Sequence, residues 1–216
     1  MCYGAALPAM PAWPVIAVLI GAYLLGGLSP GYLLVRWRKG IDVRTTGSGG
    51  TGATNVGRLL GWKGYAVVLV VDVSKGALVA GVSRAMSLTE AWAYAAALVV
   101  MVGHIWPVWL GFRGGKAVGP FVGAWLVLAP LALMPSLALG LIFLAWLRRF
   151  SIAGLCSLIV LPAAAWWATG SRIPVAAACI TISLLLWSHR ANIRGFVAGR
   201  VQQPSASPAG APTNPR

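Results

Sequence analysis

The chain has 216 residues, of which 59% are apolar and only 9% are charged. A soluble domain would have roughly 25% charged residues, so this composition excludes an ordinary soluble protein. Inside a bilayer the backbone must satisfy its own hydrogen bonds, which leaves only helices or a closed barrel. The apolar runs are continuous rather than alternating, and the sequence therefore predicts an all-α, polytopic membrane protein.

The charge of the chain is strongly positive, with 17 basic residues against three acidic ones. Nucleic acid is one possible partner for such a chain. The basic residues, however, lie between apolar segments rather than in a soluble domain that could present them. We therefore expect no nucleic-acid partner, and we expect anionic lipid headgroups and anionic substrates instead.

Seven apolar segments predict seven transmembrane helices. They cover, approximately, residues 13–35, 65–82, 91–112, 117–134, 135–147, 152–169 and 174–187. A straight span needs about 20 residues, so the fifth and seventh segments are short for a bilayer. Ser29 and Pro30 stand near the end of the first segment, where we expect the helix to bend or unwind.

The basic residues between these segments predict the orientation of the chain. Fourteen Lys and Arg residues fall on one side of the membrane and two, Arg84 and Arg172, on the other, while Lys75 lies within a span. By the positive-inside rule the N-terminus is outside and the C-terminus is cytoplasmic. Residues 1–201 are expected to form a single transmembrane domain, and the Pro-, Ala- and Ser-rich residues 202–216 a disordered tail.

A polar run at residues 47–58, with the sequence G-S-G-G-T-G-A-T-N-V-G-R, interrupts the apolar pattern. Its glycines allow positive φ angles, which can turn successive N–H groups toward one point. Such a set of N–H groups beside a cation is typical of an anion-binding site. A flexible linker is the alternative interpretation. The lysine of a P-loop is absent, so we do not expect nucleotide binding of that type.

Three other polar clusters fall on the predicted cytoplasmic side, at residues 104–116, 149–151 and 189–194. Gly114 and Gly115 would let a phosphate approach the backbone next to Lys116, although an ordinary basic span boundary is the alternative. His189 and Asn192 share a face if their segment is helical. By contrast, a histidine alone near a span end, such as His104, is more typical of a packed side chain. The convergence of these clusters on one face predicts a single active site on the cytoplasmic face.

Acidic residues are too few for most acid–base chemistry. Asp42 is the only acid in the predicted cytoplasmic loops, while Asp72 can pair with Lys75 on one face of the second span. No acid is spaced to orient a histidine, no G-x-S-x-G elbow is present, and two histidines alone make a poor metal site. The sequence therefore favours a site that binds anions and stabilises developing negative charge, acting on an already activated substrate.

Three motifs make the chain resemble the PlsY family, the bacterial acyl-phosphate:glycerol-3-phosphate acyltransferases. The matching segments are residues 47–55, 103–116 and 189–193, supported by residues 29–32, residues 72–76 and Ser151. The resemblance extends from Ser29 to about Arg200. It implies seven helices with the N-terminus outside, in the bacterial cytoplasmic (inner) membrane.

The resemblance also implies an activity. An acyl chain would pass from acyl phosphate to the 1-hydroxyl of glycerol 3-phosphate, forming lysophosphatidic acid and phosphate in the first step of phospholipid synthesis. It implies no cofactor, no metal, no CoA and no acyl-carrier protein. The phosphate of the acyl phosphate is expected to accept the hydroxyl proton, which fits the absence of an enzymic base.

Residue roles follow from the same resemblance, position by position. Glycerol 3-phosphate is expected to be bound by Arg58, Lys116, Ser151, His189 and Asn192. Acyl phosphate is expected to be bound by Ser48, Gly49, Gly52, Thr54 and Asn55. Catalytic roles are expected for Ser48, Arg58, Lys116, His189 and Asn192.

Some positions depart from the family pattern. Gly50 stands where the family usually has Asn, which removes a side-chain donor near the acyl phosphate. Ala117 replaces a usual Gly, Gly119-Pro120 replace Ala-Thr, and Gly154 replaces a Ser. These departures concern acyl-chain preference, rate and activity. They leave an inactive lipid-binding homologue as one alternative. The basic loops leave another, a transporter or channel for a phosphorylated solute.

Overall fold

The computed structural model describes residues 12–198, and every regular element in that range is a helix. The α-helices are α1 (Ala12–Gly27), α2 (Pro30–Lys39), α3 (Ala53–Ala85), α4 (Glu90–Ile105), α5 (Val118–Leu128), α6 (Pro130–Leu147), α7 (Phe150–Ser157), α8 (Leu161–Thr169), α9 (Arg172–Ser188) and α10 (Arg190–Val197). Three short 3₁₀ turns occur at Val43–Thr45, Val108–Leu110 and Leu158–Val160. The predicted tail and the N-terminus lie outside the described residues.

Five helical segments within residues 12–198 are long and apolar enough to cross a membrane: Ala12–Lys39, Ala53–Ala85, Glu90–Leu110, Pro130–Leu147 and Phe150–Thr169. A sixth is added if α9 and α10, bent by 63° at His189, count as one span. The prediction of an all-helical, multi-pass membrane protein is therefore confirmed. The remaining predicted span is represented by α5, which is apolar but has only 11 residues.

The predicted boundary between the fourth and fifth spans, at Pro135, is wrong. The chain turns instead at Ala129, whose φ and ψ of −148° and 71° lie outside the helical region. Ala129 precedes Pro130, and the ring of a following proline disfavours helical geometry. Pro130 then opens α6, a position where its missing N–H costs nothing, and Pro135 is accommodated within the same helix.

The first predicted span is broken where a bend was expected. α1 ends at Gly27 and α2 begins at Pro30, with the Ser29 hydroxyl accepting a hydrogen bond from the Tyr32 N–H at 3.4 Å. The break leaves backbone carbonyl groups at the end of α1 without helical partners. The Lys75 ammonium group, on α3, donates to two carbonyl groups at this break, those of Gly26 and Leu28.

The loop formed by the glycine-rich run at residues 47–58 is shorter than the sequence predicts. α3 already begins at Ala53, so Arg58 lies on a helix rather than in a loop. Gly61, with a left-handed φ of 71°, separates this first part of α3 from its long apolar part. The kink turns the first two turns of the helix, with Arg58, away from the direction of the span.

Close packing of α3 against α5 fixes the position of the loop before α5. A Cβ atom at Gly76 would overlap the carbonyl of Pro120, and one at Gly123 would overlap the carbonyl of Val73. Small residues allow this approach of helix backbones in a membrane, where the hydrophobic effect does not drive helices together. The segment that precedes α5, with Lys116, is therefore held firmly beside α3.

Candidate active site

A cavity of about 480 Å³ is lined by residues from seven α-helices and from the loops before α3 and α5. Nine of the ten residues that the motifs predict to bind substrates line this single cavity: Ser48, Gly52, Thr54, Asn55, Arg58, Lys116, Ser151, His189 and Asn192. The tenth, Gly49, is not among the lining residues. The structure therefore brings together segments that are more than 140 positions apart in the sequence.

A chain of side-chain hydrogen bonds joins three of these segments. The Lys116 Nζ donates to Asn192 Oδ1 at 2.9 Å, and Asn192 Nδ2 donates to Ser151 Oγ at 3.1 Å. The Ser188 hydroxyl donates to the Lys116 carbonyl at 3.2 Å and so ties the same segment to the end of α9. An ammonium group has three hydrogens, so Lys116 keeps donors for an anion in the cavity.

Lys116 lies close to a second cation. Burial, and secondarily the charge of the Arg58 guanidinium, lowers the pKa of Lys116 to about 8. Like charges raise each other's free energy when they are held close together in a partly desolvated site. A phosphate dianion beside both groups would remove this repulsion, so the pair is suited to binding phosphate.

His189 has a defined tautomer. Its Nδ1 lies 2.9 Å from the Leu185 carbonyl oxygen, which can only accept, so Nδ1 must hold a hydrogen. In the neutral imidazole, Nε2 is then an acceptor. Since His189 is buried and lines the cavity, this nitrogen is suited to receive a hydroxyl group of a bound ligand.

The glycine-rich loop has the predicted left-handed residues, with φ of 53° at Gly47 and 69° at Gly49. Asn55 holds the loop in shape. Its Oδ1 accepts from the Ser48 N–H at 3.1 Å, and its Nδ2 lies within 3.0 Å of the carbonyl oxygens of Val43, Thr46 and Gly50. The Asn55 amide is thus bonded to the loop itself, which differs from the direct binding role that the motif predicts.

Arg44, which pairs with Asp42, connects the segment just before the glycine-rich loop to the segment before α5, and no sequence motif indicates this link. The Arg44 guanidinium forms two hydrogen bonds to Asp42, at 2.7 and 3.0 Å, and also donates to the Leu110 carbonyl at 2.6 Å. Hydrogen bonding to Arg44 lowers the pKa of the Asp42 carboxyl, and the pKa of Arg44 is raised in turn. The pair therefore stays charged and holds the two loops together.

The rest of the cavity is mainly apolar. Its lining includes large side chains of α3, α5, α6 and α7 and of the turn that follows α7, among them Leu69, Phe121, Val122, Leu133, Leu137, Leu141, Leu144, Leu155 and Leu158. A polar cluster at one end and a long apolar extension suit a ligand with a charged head and a hydrocarbon chain. Asp72 and His104 also line the cavity, although the sequence analysis favoured a packing role for His104.

The sequence and the fold are both similar to those of known proteins. A family model described as Glycerol-3-phosphate acyltransferase matches residues 16–199. The glycerol-3-phosphate acyltransferase of Synechococcus sp. (strain CC9902) is 40% identical over 184 residues, which cover 85% of this chain and 92% of the relative. Glycerol-3-phosphate acyltransferase 1 of Desulfitobacterium hafniense (strain Y51) is 39% identical over 177 residues, covering 82% and 88%.

The chain belongs to the glycerol-3-phosphate acyltransferase family. Crystal structures of PlsY, an integral membrane glycerol 3-phosphate acyltransferase, agree with this. Its glycerol 3-phosphate form matches with a TM-score of 0.81 and 31% identity, covering 87% of this chain and 94% of that one. Its lysophosphatidic acid form matches with a TM-score of 0.78 and 30% identity, covering 87% and 93%. The PlsY resemblance inferred from the motifs is confirmed.

Two departures from the pattern of the glycerol-3-phosphate acyltransferase family have a structural context. A Cβ atom at Gly119 would lie 2.6 Å from the Cβ of Asp72, so glycine is required where α5 meets α3. Ala117 is fully buried and has a left-handed φ of 59°, a conformation that the usual glycine adopts without strain. This chain therefore keeps the geometry of the loop while changing its residues.

Gly50 is the departure closest to the polar cluster, and its replacement by Asn should improve the enzyme. A Cβ atom at Gly50 would have only ordinary contacts, at 3.8 Å from the Gly114 oxygen and 4.0 Å from Lys116 Cε. The added amide can reach the cavity, so Gly50→Asn should raise kcat/KM for the acyl donor about three- to tenfold. Gly40→Asn, at an exposed left-handed glycine outside the cavity, is the control and should leave kcat/KM unchanged. A loss of activity in Gly50→Asn alone would contradict this account.

The lowered pKa of Lys116 predicts the pH dependence of acceptor binding. With the charged ammonium as the proposed binding group, binding should be at full strength well below pH 8 and be lost as the pH rises through about 8. A phosphate monoester is already a dianion above about pH 7, so its own titration adds nothing in this range. KM for glycerol 3-phosphate should be nearly flat around pH 7, about twofold higher at pH 8, and should then rise toward about tenfold per pH unit. A KM that stays constant up to pH 9.5 would exclude this role for Lys116.

Proposed function

We propose that this protein transfers an acyl chain from acyl phosphate to the 1-hydroxyl of glycerol 3-phosphate and releases lysophosphatidic acid and phosphate. The observation that supports it most is the single cavity, in which the glycine-rich loop and the cluster around Lys116 adjoin an apolar extension. Family membership and the solved relatives with glycerol 3-phosphate and lysophosphatidic acid support the acceptor and the product. The reaction would be the first step of phospholipid synthesis and would need no cofactor, metal, CoA or acyl-carrier protein.

The acceptor would bind at the hydrogen-bonded cluster that joins three segments. Arg58 and Lys116 supply the two cations for its phosphate. Asn192 accepts a hydrogen bond from the Lys116 ammonium group and donates one to the Ser151 hydroxyl. These two residues therefore set the direction of the ammonium group. His189 Nε2 would accept a hydrogen bond from the 2-hydroxyl and so orient the alcohol, which leaves the proton of the attacking 1-hydroxyl for the departing phosphate.

The donor would bind along the glycine-rich loop. Ser48, Gly52 and Thr54 line the cavity and would contact the acyl phosphate. Gly49 and Asn55 would act on the donor through the loop, Gly49 by its left-handed turn and Asn55 by its bonds to four backbone groups. The acyl chain would extend between α3, α5, α6 and α7.

The chemistry needs few protein groups because acyl phosphate is already activated. The 1-hydroxyl oxygen attacks the carbonyl carbon, a new C–O bond forms, and the bond from that carbon to the phosphate oxygen breaks. The departing phosphate takes the hydroxyl proton, so no enzymic base is required. Arg58 and Lys116 stabilise negative charge that develops in the transition state, which is often the largest catalytic contribution.

The orientation proposed for the chain places the active site in the cytoplasm of a bacterium. Lys116, Ser151 and His189 all lie at the same helix ends, next to many basic residues, whereas Arg84 and Arg172 lie at the opposite ends. The positive-inside rule then makes the cavity side cytoplasmic and the N-terminus external. With α5 counted as a short crossing, the chain spans the cytoplasmic (inner) membrane seven times.

The acyl donor can be identified by comparing three candidate donors in one assay. Purified full-length protein would be given glycerol 3-phosphate with palmitoyl phosphate, palmitoyl-CoA or palmitoyl acyl-carrier protein, and lysophosphatidic acid would be measured by mass spectrometry. We expect product with palmitoyl phosphate alone. Product with palmitoyl-CoA but none with palmitoyl phosphate would refute the proposed donor. Binding of palmitoyl phosphate without product would favour an inactive lipid-binding homologue.

A further inference from the structure

Three ionisable side chains form a buried cluster between α3 and α4, next to the cavity. Asp72, Lys75 and His104 are each at most 5% exposed. The Lys75 Nζ lies 2.9 Å from Asp72 Oδ1 and 2.8 Å from His104 Nδ1. It also donates to the carbonyl oxygens of Gly26 and Leu28, at 3.0 and 2.9 Å, where the first span is broken. Ionisable residues inside a membrane usually mark a functional site.

The contact with Lys75 determines the tautomer of His104. An ammonium group has hydrogens but no lone pair, so it can only donate. His104 Nδ1 must therefore accept, and the hydrogen of the neutral ring is on Nε2. Asp72 does not take the place of Lys75 as the partner of His104 Nδ1. Its Oδ1 is 3.7 Å from Nδ1 but only 2.9 Å from the Lys75 Nζ.

The opposite edge of the His104 ring faces the loop before α5. A Cβ atom at Gly115 would overlap His104 Nε2, so only a glycine here leaves that nitrogen uncovered. His104 also lines the cavity. Among residues 12–198, Nε2 makes no hydrogen bond, although Nδ1 does. An N–H group that belongs to a cavity-lining residue and has no protein partner is available to a ligand that accepts a hydrogen bond from it.

The position of Gly115 indicates which ligand would accept the hydrogen bond from His104 Nε2. The preceding Gly114 has its carbonyl 3.8 Å from a Cβ position on Gly50, so the glycine-rich loop lies directly beside it. The following residue is Lys116, whose ammonium group is already assigned to phosphate. The His104 N–H is thus next to the loop that, under the proposed function, holds the acyl phosphate.

We propose that His104 is a further substrate-binding residue, whose Nε2–H donates to a phosphate oxygen of the acyl phosphate, with Lys75 as the positioning residue that fixes its tautomer. This rests on the proposed function for the identity of the donor. The bond would strengthen as the phosphate leaves and gains negative charge. Lys75 thereby links the break between α1 and α2 to the binding of the donor.

Two substitutions separate this role from mere packing. His104→Asn keeps a polar group at the Nδ1 position for Lys75 but has nothing at the Nε2 position, whereas His104→Gln places an amide near Nε2. For the purified full-length enzyme we expect His104→Asn to raise KM for palmitoyl phosphate at least about tenfold, with KM for glycerol 3-phosphate changed less than about twofold. His104→Gln should recover most of the loss. Equal increases in both KM values, or normal kinetics in His104→Asn, would overturn the proposal.

A second readout does not depend on the identity of the acyl donor. Inorganic phosphate should stabilise the wild-type protein against thermal unfolding in detergent, with an apparent affinity at least about tenfold higher than for His104→Asn. Equal affinities for the two proteins would refute the role of His104. Should wild type bind phosphate with this difference and yet fail to use palmitoyl phosphate, the proposed donor would be wrong while the phosphate-binding role of His104 would stand.

Discussion

Replacing Lys116 with methionine should lower kcat/KM for glycerol 3-phosphate at least about 100-fold, because the cation both binds phosphate and stabilises charge in the transition state. Methionine has a similar length, and the side chain of Lys116 donates only to Asn192 within residues 12–198, so the fold should be retained. Initial rates of lysophosphatidic acid formation would measure the loss.

Lys63→Met is the matched control for this experiment. Lys63 belongs to the same predicted basic face but is exposed and does not line the cavity. Its replacement should change kcat/KM less than about twofold, as is usual for surface charges away from a site. Near-normal turnover of Lys116→Met would remove Lys116 from the active site.

Replacing Asn55 with aspartate should lower turnover at least about 100-fold, although the two side chains have the same shape. The two hydrogens of the Asn55 amide nitrogen are shared among the carbonyl oxygens of Val43, Thr46 and Gly50, whereas a carboxylate has no hydrogen to donate. Three carbonyl oxygens would then face a buried negative charge, so the glycine-rich loop should lose its shape. Both KM for acyl phosphate and kcat would change, since the loop both binds and orients the donor.

The control for Asn55→Asp comes from the same loop. Thr45 is exposed, and within residues 12–198 its hydroxyl donates only to the Asp42 carbonyl oxygen, at 2.8 Å. Thr45→Ala should therefore keep turnover within about twofold of wild type. Turnover of Asn55→Asp within threefold of wild type would show that the loop does not need its internal bonds.

Hydropathy and motif spacing are sufficient to predict much of this molecule. The long apolar runs predict helical spans because the bilayer leaves the backbone no other partner. The motifs predict nine residues that line one cavity, since each motif contains residue types suited to binding phosphate. The break after Gly27 is also predictable from Ser29 and Pro30.

Other features depend on tertiary contacts that no local pattern records. Pro130 and Pro135 are both candidates for the turn in the sequence, and only the structure shows that the chain turns at Ala129 while Pro135 lies within α6. The role of Asn55 depends on four backbone groups that reach it only when the loop is folded. The tautomer of His104 likewise depends on Lys75, 29 positions away.

The charged groups that line the cavity explain why the proposed reaction needs few acidic residues. Among residues 12–198, the charged groups that line the polar end of the cavity are mainly cations, Arg58 and Lys116, while Asp72 is paired with Lys75. Under the proposed function, such a site would bind two phosphate groups without supplying a strong base. It is suited to a substrate that brings its own leaving group and its own proton acceptor.

Phosphate release from palmitoyl phosphate by the purified full-length protein tests this central claim most directly. With glycerol 3-phosphate present, we predict one phosphate for each lysophosphatidic acid formed, and almost no release when the acceptor is left out. Equal release with and without acceptor would indicate a hydrolase. Accumulation of labelled glycerol 3-phosphate inside proteoliposomes, with neither phosphate release nor lipid product, would contradict the account and favour a transporter.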